Sequence, residues 1–260
     1  MVNRRSFVKN AVAGLGVLSF PHLWIPKANA AMHKIDPSKP IKIGVVYSQT
    51  GFMGLVEKEQ YKVAMMVIDE VNRAGGIHGA KLEPYIKDPA SSWPAYAAGA
   101  TELLGKGVNI FWGCYTSASR ESILPVIQEG GGLLFYPTYY EGRECTENMI
   151  MTGSCPNQQV NISIPFMFEK FGKKVYLIGS NYIYPRTMSR QVKSQVEKHG
   201  GSIVGEQYVD LAVSDKSAFD EIIKDIKAQK PDWVCSNVVG GSSVAFMQRY
   251  KELGLNPSNI

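Results

Sequence analysis

The chain has 260 residues, 45% of them hydrophobic and 20% charged, with a formal net charge of +5. That is enough chain for one large or two medium α/β lobes with real cores. Residues 1–30 hold Arg4, Arg5, Lys9 and Lys27 and no acid, so the remainder carries only +1, which excludes the basic footprint that nucleic-acid binding demands.

The first thirty residues read as an address. Arg4-Arg5-Ser6-Phe7-Val8-Lys9 is a twin-arginine pattern, Ala11 to Phe20 is a short apolar run, and Ala28-Asn29-Ala30 is a small-x-small cleavage site. The run is shorter than the roughly 20 residues a membrane-spanning helix needs. The expectation is a cleaved signal peptide over 1–30, export by the twin-arginine route and a periplasmic mature protein. No Cys follows the apolar run closely, so a lipid anchor is not expected.

After a polar lead-in (Asp36-Pro37-Ser38-Lys39-Pro40), strand and helix patterns alternate. Ile41 to Tyr47 is predicted as a buried strand. Glu57 to Ala74 is predicted as an amphipathic helix with Ala64, Met65, Ile68 and Val71 on one face, ended by Gly75-Gly76. Strands follow at Leu82–Lys87, Val108–Trp112 and Leu133–Tyr136, with helices at Trp93–Gly105 and Ala118–Gln128. A second series has helices at 157–171, 186–199, 217–228 and 244–253, and strands at 174–179, 202–209 and 233–237. Strands alternating with helices of this length give parallel, doubly wound sheets. Two series predict two lobes, 31–155 and 156–260, meeting near Met151 to Pro156. The chain stops at Pro257-Ser258-Asn259-Ile260, where a strand is due after a helix, so the second lobe reads as incomplete, the product of a truncated gene or a fragment.

In open α/β sheets ligands bind beyond the carboxyl ends of the strands. The loops there are Ser48–Gly51, Asp88–Ser92, Gly113–Ala118 and Tyr136–Gly142 in the first lobe, and Ser180–Tyr184 and Val239–Ser242 in the second. They are rich in hydroxyls, tyrosines and glycines and poor in charge. Ser117 and Ala118 also open a predicted helix, whose free N–H groups are ready donors. A neutral planar amide, with one strong acceptor and several N–H donors, suits such a lining, because every unmet polar group in a dry pocket is costly. An α-amino acid would want a carboxylate for its ammonium group, and the second-lobe loop holds Asn181 instead. Taken singly, each Ser or Tyr fits equally well as a helix cap or rim filler; six such loops at one edge favour a binding surface.

Enzyme chemistry finds little support. His33, His78 and His199 sit in the lead-in, in a Gly-flanked turn and at a helix C-terminus, so no Ser–His or Cys–His set can be assembled. No phosphate-binding glycine motif is present. Cys114, Cys145, Cys155 and Cys235 have no C-x-x-C spacing, which argues against zinc and thioredoxin chemistry. Cys145 and Cys155 can pair if a loop joins them; buried free thiols are the equal alternative. Asp69 and Glu70 read as solvated charges.

Five blocks occur in order: Asp88-Pro-Ala-Ser-Ser-Trp-Pro94, Gly113-Cys-Tyr-Thr-Ser-Ala-Ser-Arg120, Leu133-Leu-Phe-Tyr-Pro-Thr-Tyr-Tyr-Glu-Gly142, Pro156-Asn-Gln-Gln159 and Gly179-Ser-Asn-Tyr-Ile-Tyr-Pro-Arg186. Over residues 41–260 the chain closely resembles the urea and short-chain-amide-binding proteins of the type I periplasmic binding fold, cousins of the Leu/Ile/Val-binding proteins. The resemblance implies a cleft between two lobes, closure on urea or a small amide, and delivery to an ABC permease. It implies that Ser117, Tyr136 and Thr138 hold the amide on the first lobe, with Tyr115 and Thr116 in the same loops. Tyr182 and Tyr184 would close from the second. No metal, cofactor or nucleic acid is implied. A branched-chain amino-acid binder of the same fold, and an amide sensor with a signalling partner, are the alternatives.

Overall fold

The computed structural model describes residues 35–255. The expected signal peptide, 1–30, and the closing residues Pro257–Ile260 lie outside the described residues.

The first series builds a sheet from β1 (Ile41–Val46), β2 (Leu82–Lys87), β3 (Ile110–Gly113), β4 (Leu133–Tyr136) and β5 (Met149–Met151), in the order β2-β1-β3-β4-β5. Every neighbouring pair is parallel. Its helices are α1 (Gly54–Arg73), α2 (Trp93–Gly105) and α3 (Ser117–Glu129). Alternation along β1 assigns the faces. Ile43, Val45 and Tyr47 pack with Ala64 and Ile68 of α1. Val46 turns the other way, into a core with Tyr96 and Leu103 of α2 and Ile123 and Ile127 of α3. A strand buried on both faces is what a near-continuous apolar run predicts.

The second series repeats the plan. Strands β6 (Lys174–Ser180), β7 (Ser202–Val209) and β8 (Trp233–Asn237) form a parallel sheet in the order β7-β6-β8. Val175 and Leu177 of β6 face α4 (Pro156–Lys170) and α5 (Ile183–Lys198). Tyr176 and Ile178 face a 3-10 turn (Lys216–Phe219), α6 (Asp220–Gln229) and α7 (Gly240–Glu252). The two halves meet where α1 approaches α7 and α3 approaches α5.

Three departures from the expected elements have local causes. Strand β5 was not predicted, because three residues carry no readable period, yet Met149–Met151 pairs with Leu134–Tyr136. Helices α1 and α7 begin at Gly54 and Gly240, earlier than expected, since glycine reads as loop although it also serves at helix starts. The 3-10 turn ahead of α6 is capped by Asp215, whose carboxylate accepts from the Ser217 N–H at 2.9 Å. Among the described residues no helix is long and apolar enough to cross a membrane.

Candidate ligand-binding cleft

Chain order reverses at β1 and β3 in the first sheet and at β6 and β8 in the second. Loops diverge at such switch points and leave a crevice at the carboxyl ends of the strands. Six of the seven candidate residues lie on the loops or first helical turns after β3, β4 and β6; Tyr136 is the last residue of β4.

Thr116 caps α3: its Oγ1 accepts from the Ser119 N–H at 3.0 Å. The Ser117 hydroxyl accepts from Arg120 Nη1 at 3.2 Å, and both Thr116 and Ser117 are buried. Tyr136, fully buried, donates its phenol to the Tyr115 carbonyl at 2.7 Å, tying the β4 end to the β3 loop. Thr138 donates to the Cys114 carbonyl at 3.1 Å in the same seam.

A tyrosine cluster joins the two halves. The Tyr115 and Tyr139 hydroxyls stand 3.1 Å apart. The Tyr139 ring lies 5.2 Å from that of Tyr184 in α5, and the Tyr184 hydroxyl donates to Gln159 of α4 at 3.3 Å. Tyr182 is the N-cap residue of α5, and burial, with the neighbouring Tyr115, Tyr136, Tyr139 and Tyr184, holds its phenol well above the usual range. Burial likewise raises Tyr115, Tyr136 and Tyr184, so these three and Tyr182 stay protonated and act as neutral hydroxyls. The Gly241 N–H also donates to the Phe52 carbonyl at 3.4 Å across the halves.

Asn181 is turned aside from this cluster: its Oδ1 accepts from Arg186 Nε at 2.8 Å and its Nδ2 donates to Asp210 at 3.4 Å. All four cysteines are free, with Cys114 buried and Cys145 exposed, and no Cys145–Cys155 bond is formed. Asp69 is exposed, as expected, and pairs with Arg73. An open surface cavity of about 300 Å³ lies elsewhere, lined by Arg186, Arg190, Lys193, Glu206 and Tyr208. None of the seven predicted residues lines it. Lys193 there pairs with Glu206, and Arg186 stacks on Tyr208.

The profile of a periplasmic binding protein domain matches residues 41–260. The chain belongs to this family. It is 25% identical over 193 residues to a Leu/Ile/Val-binding protein homolog of Brucella melitensis, covering 72% of this chain and 51% of that one. It is 24% identical over 221 residues to the leucine-, isoleucine-, valine-, threonine- and alanine-binding protein of Pseudomonas aeruginosa, covering 83% and 58%. The chain thus spans about half the length of the curated relatives it matches. Among solved structures it is similar to the LivJ branched-chain amino-acid substrate-binding protein of Streptococcus pneumoniae in complex with isoleucine (TM-score 0.75, 23% identity, 84% of this chain and 62% of that one). It is also similar to a solute-binding protein of R. palustris in complex with 4-hydroxybenzoate (TM-score 0.76, 22% identity, 85% and 60%). The fold is the type I periplasmic binding fold.

Two buried charges of this periplasmic binding protein domain escaped the sequence reading. Glu57 of α1 is fully buried. Its Oε2 accepts the Ser48 N–H at 2.6 Å and the Tyr96 hydroxyl. Burial outweighs these hydrogen bonds and pushes its carboxyl up to about 7. Arg120 of α3 is 2% exposed and reaches Glu141 at 2.8 Å and Glu144 at 2.9 Å, with its guanidinium 5.0 Å over the Tyr136 ring. A signal for both was present. Glu57 lies seven residues before Ala64, and Arg120 lies at i−3 and i−7 from Ile123 and Ile127, so each continues a buried helical stripe.

Proposed function

We propose that the chain is the ligand-binding part of an extracytoplasmic ABC-importer component that takes urea or a short aliphatic amide. Lobes 31–155 and 156–260 close on the ligand, and the membrane permease recognises the closed form. Family membership supports a binding rather than a catalytic role. The observation that carries the reading is the tyrosine cluster shared by the loops of both sheets, with Tyr139 and Tyr184 in ring contact at 5.2 Å. A ligand bridging those loops stabilises the closed form by its differential contacts. Ser117, Tyr136 and Thr138, with Tyr115 and Thr116 beside them, hold the amide on the first lobe, while Tyr182 and Tyr184 shut out water from the other side. Neutral hydroxyls and backbone groups suit an uncharged polar ligand. The expected signal peptide supports delivery to the periplasm.

A second reading is an amino-acid or aromatic-acid binder. It is favoured by the relatives called Leu/Ile/Val-binding and by the similar structures that hold isoleucine and 4-hydroxybenzoate. A thermal-shift panel with urea, formamide, acetamide, leucine and 4-hydroxybenzoate separates the two, because a native-state binder raises the midpoint in proportion to the logarithm of its concentration. The amide reading expects shifts with the first three at millimolar concentration. A shift with leucine or 4-hydroxybenzoate alone refutes it.

A further inference from the structure

Two side-chain oxygens on one face of α1 are buried and without a hydrogen-bond partner: Glu57 Oε1 and Gln60 Oε1. They stand three residues apart, on adjacent turns of the same helical face. That face looks onto the carboxyl ends of β1, β3 and β4. Glu57 touches Ser48 after β1, and Gln60 Nε2 donates to Thr138 Oγ1 after β4 at 3.4 Å.

The neighbours fix which atom of each group is left over. The Thr138 hydroxyl gives its proton to the Cys114 carbonyl, so its oxygen must accept, and it takes Gln60 Nε2 rather than Oε1. On the other side a chain of donors ends on Glu57. The Ser91 N–H donates to Ser48 Oγ at 2.8 Å, Ser48 Oγ stands 2.7 Å from the Tyr96 hydroxyl, and Tyr96 donates to Glu57 Oε2. Oε2 also takes the Ser48 N–H, so it is an acceptor twice over. Each residue therefore presents one oxygen, Oε1, with acceptor capacity to spare in a place without solvent. A buried polar atom left so is expensive, and natural interiors rarely keep one without a reason.

We infer that Glu57 and Gln60 form the acceptor pair of the ligand site, receiving N–H groups of a carboxamide or urea whose carbonyl oxygen is held by the hydroxyl loops. The inference rests on the amide reading and adds to it the residues that select N–H donors. It distinguishes urea, with four N–H bonds, from a ligand that carries only acceptors. Ionised Glu57 is the accepting form. Since Oε2 already takes two donors, a proton on Glu57 sits on Oε1 and removes that acceptor. The groups that face Glu57 are Tyr47 from the β1 loop, Asp88 from the β2 loop, Tyr96 from α2, and Cys114 and Tyr115 from the β3 loop. Burial raises the phenols and the thiol, so they remain neutral around neutrality. Glu57, at about 7, titrates in the working range.

Titration calorimetry of the full chain with urea and acetamide tests the assignment. In Glu57→Gln the new carboxamide oxygen replaces Oε2, and its NH2 meets the ligand's N–H groups donor to donor. Affinity is expected to fall about tenfold, the size of one unmet buried hydrogen bond, with the melting midpoint kept or raised. Gln60→Leu is expected to lose several-fold, and it carries the test if Glu57→Gln does not fold. Wild-type affinity is expected to fall as pH drops from 8 to 6. Loss of less than threefold in both Glu57→Gln and Gln60→Leu, or tighter binding at pH 6, overturns the acceptor assignment while the amide reading stands. A wild type that answers to neither urea nor acetamide overturns both.

Discussion

Replacing Arg120 by Met tests how the cleft loops are held. The side chain is 2% exposed, and its carboxylate partners Glu141 and Glu144 are 10% and 29% exposed. Met keeps most of the volume over the Tyr136 ring but strands the Glu141 carboxylate, one oxygen of which already has no other partner. Breaking a buried pair by removing one member costs about 3–5 kcal/mol, because the remaining charge is left desolvated. Glu144, being partly solvated, adds little. The expected loss is therefore about 3 kcal/mol, or a fall in the melting midpoint of roughly 6–12 °C for a domain of this size. Guanidinium chloride melts are the right assay, since urea is itself a candidate ligand. Adding Glu141→Gln to Arg120→Met should restore at least about half of the loss, as the stranded charge is removed. A loss below about 1 kcal/mol in the single variant, or no recovery in the double one, refutes the reasoning.

Three further outcomes follow from the same geometry. Gly240→Ala should cost at least about 1 kcal/mol, because Gly240 has φ +60° and an added Cβ would lie 2.8 Å from the Phe52 carbonyl of the other half; an unchanged midpoint with an unchanged radius of gyration by X-ray scattering counts against it. Glu57 is raised in the folded state, from 4.5 to about 7. The native state thus holds the proton longer, and stability should fall as pH rises between these values, by on the order of 3 kcal/mol at most; Glu57→Gln should flatten that slope in melts from pH 4.5 to 7.5. Maleimide at pH 7.5 should label exposed Cys145 first and Cys114 only on unfolding, since burial removes access and pushes its thiol up to about 12; early modification of Cys114 on peptide mapping would contradict the buried β3 loop.

The architecture was legible because both sheets rest on short-range patterns. Apolar runs such as Val175–Ile178 mark strands, and stripes such as Ile223 and Ile226 mark the helices over them. Topology alone brings the strand-end loops to one edge, whereas the seven candidate residues on or beside those loops were named through the family resemblance. What escaped is what needs three dimensions. Strand β5 exists because Met149–Met151 finds an unpaired edge of β4, not because of its own propensity. Asn181, read as part of the lining, is drawn off by Arg186 and Asp210, partners that no spacing rule predicts. Glu57 and Arg120 were passed over because charge at a helical position reads as solvent-facing. The stripes they extend were visible, but only the partners explain how a charge is tolerated there.

The distribution of engaged and spare polar atoms narrows the ligand further than the loop composition does. Asp88 borders the cleft, yet it is saturated by its own turn and the loop after β1: despite partial burial, Ala90, Gln49 and Thr50 supply backbone and hydroxyl donors that hold its carboxyl below the usual range. Arg120 spends its two terminal nitrogens on Ser117, Glu141 and Glu144. Asp88 is not on offer to a bound molecule, and the Arg120 charge is already shared by two carboxylates, although its buried Nε has no partner. On α1 the spare capacity is the oxygen pair of Glu57 and Gln60, while Arg120 Nε and Glu141 Oε1 are left unpaired within their own ion pair. A carboxylate ligand would bring a negative charge toward Glu57 and meet an Arg120 guanidinium already neutralised by Glu141 and Glu144. An ammonium ligand would draw Glu57 fully into its ionised form and release a proton on binding near neutrality, whereas a neutral amide would release much less. Calorimetry in two buffers of different ionisation enthalpy counts that proton. Binding of urea with well under one proton released is the expected result; a full proton released with an amine ligand, and no heat with urea, would move the assignment from carboxamides to amines.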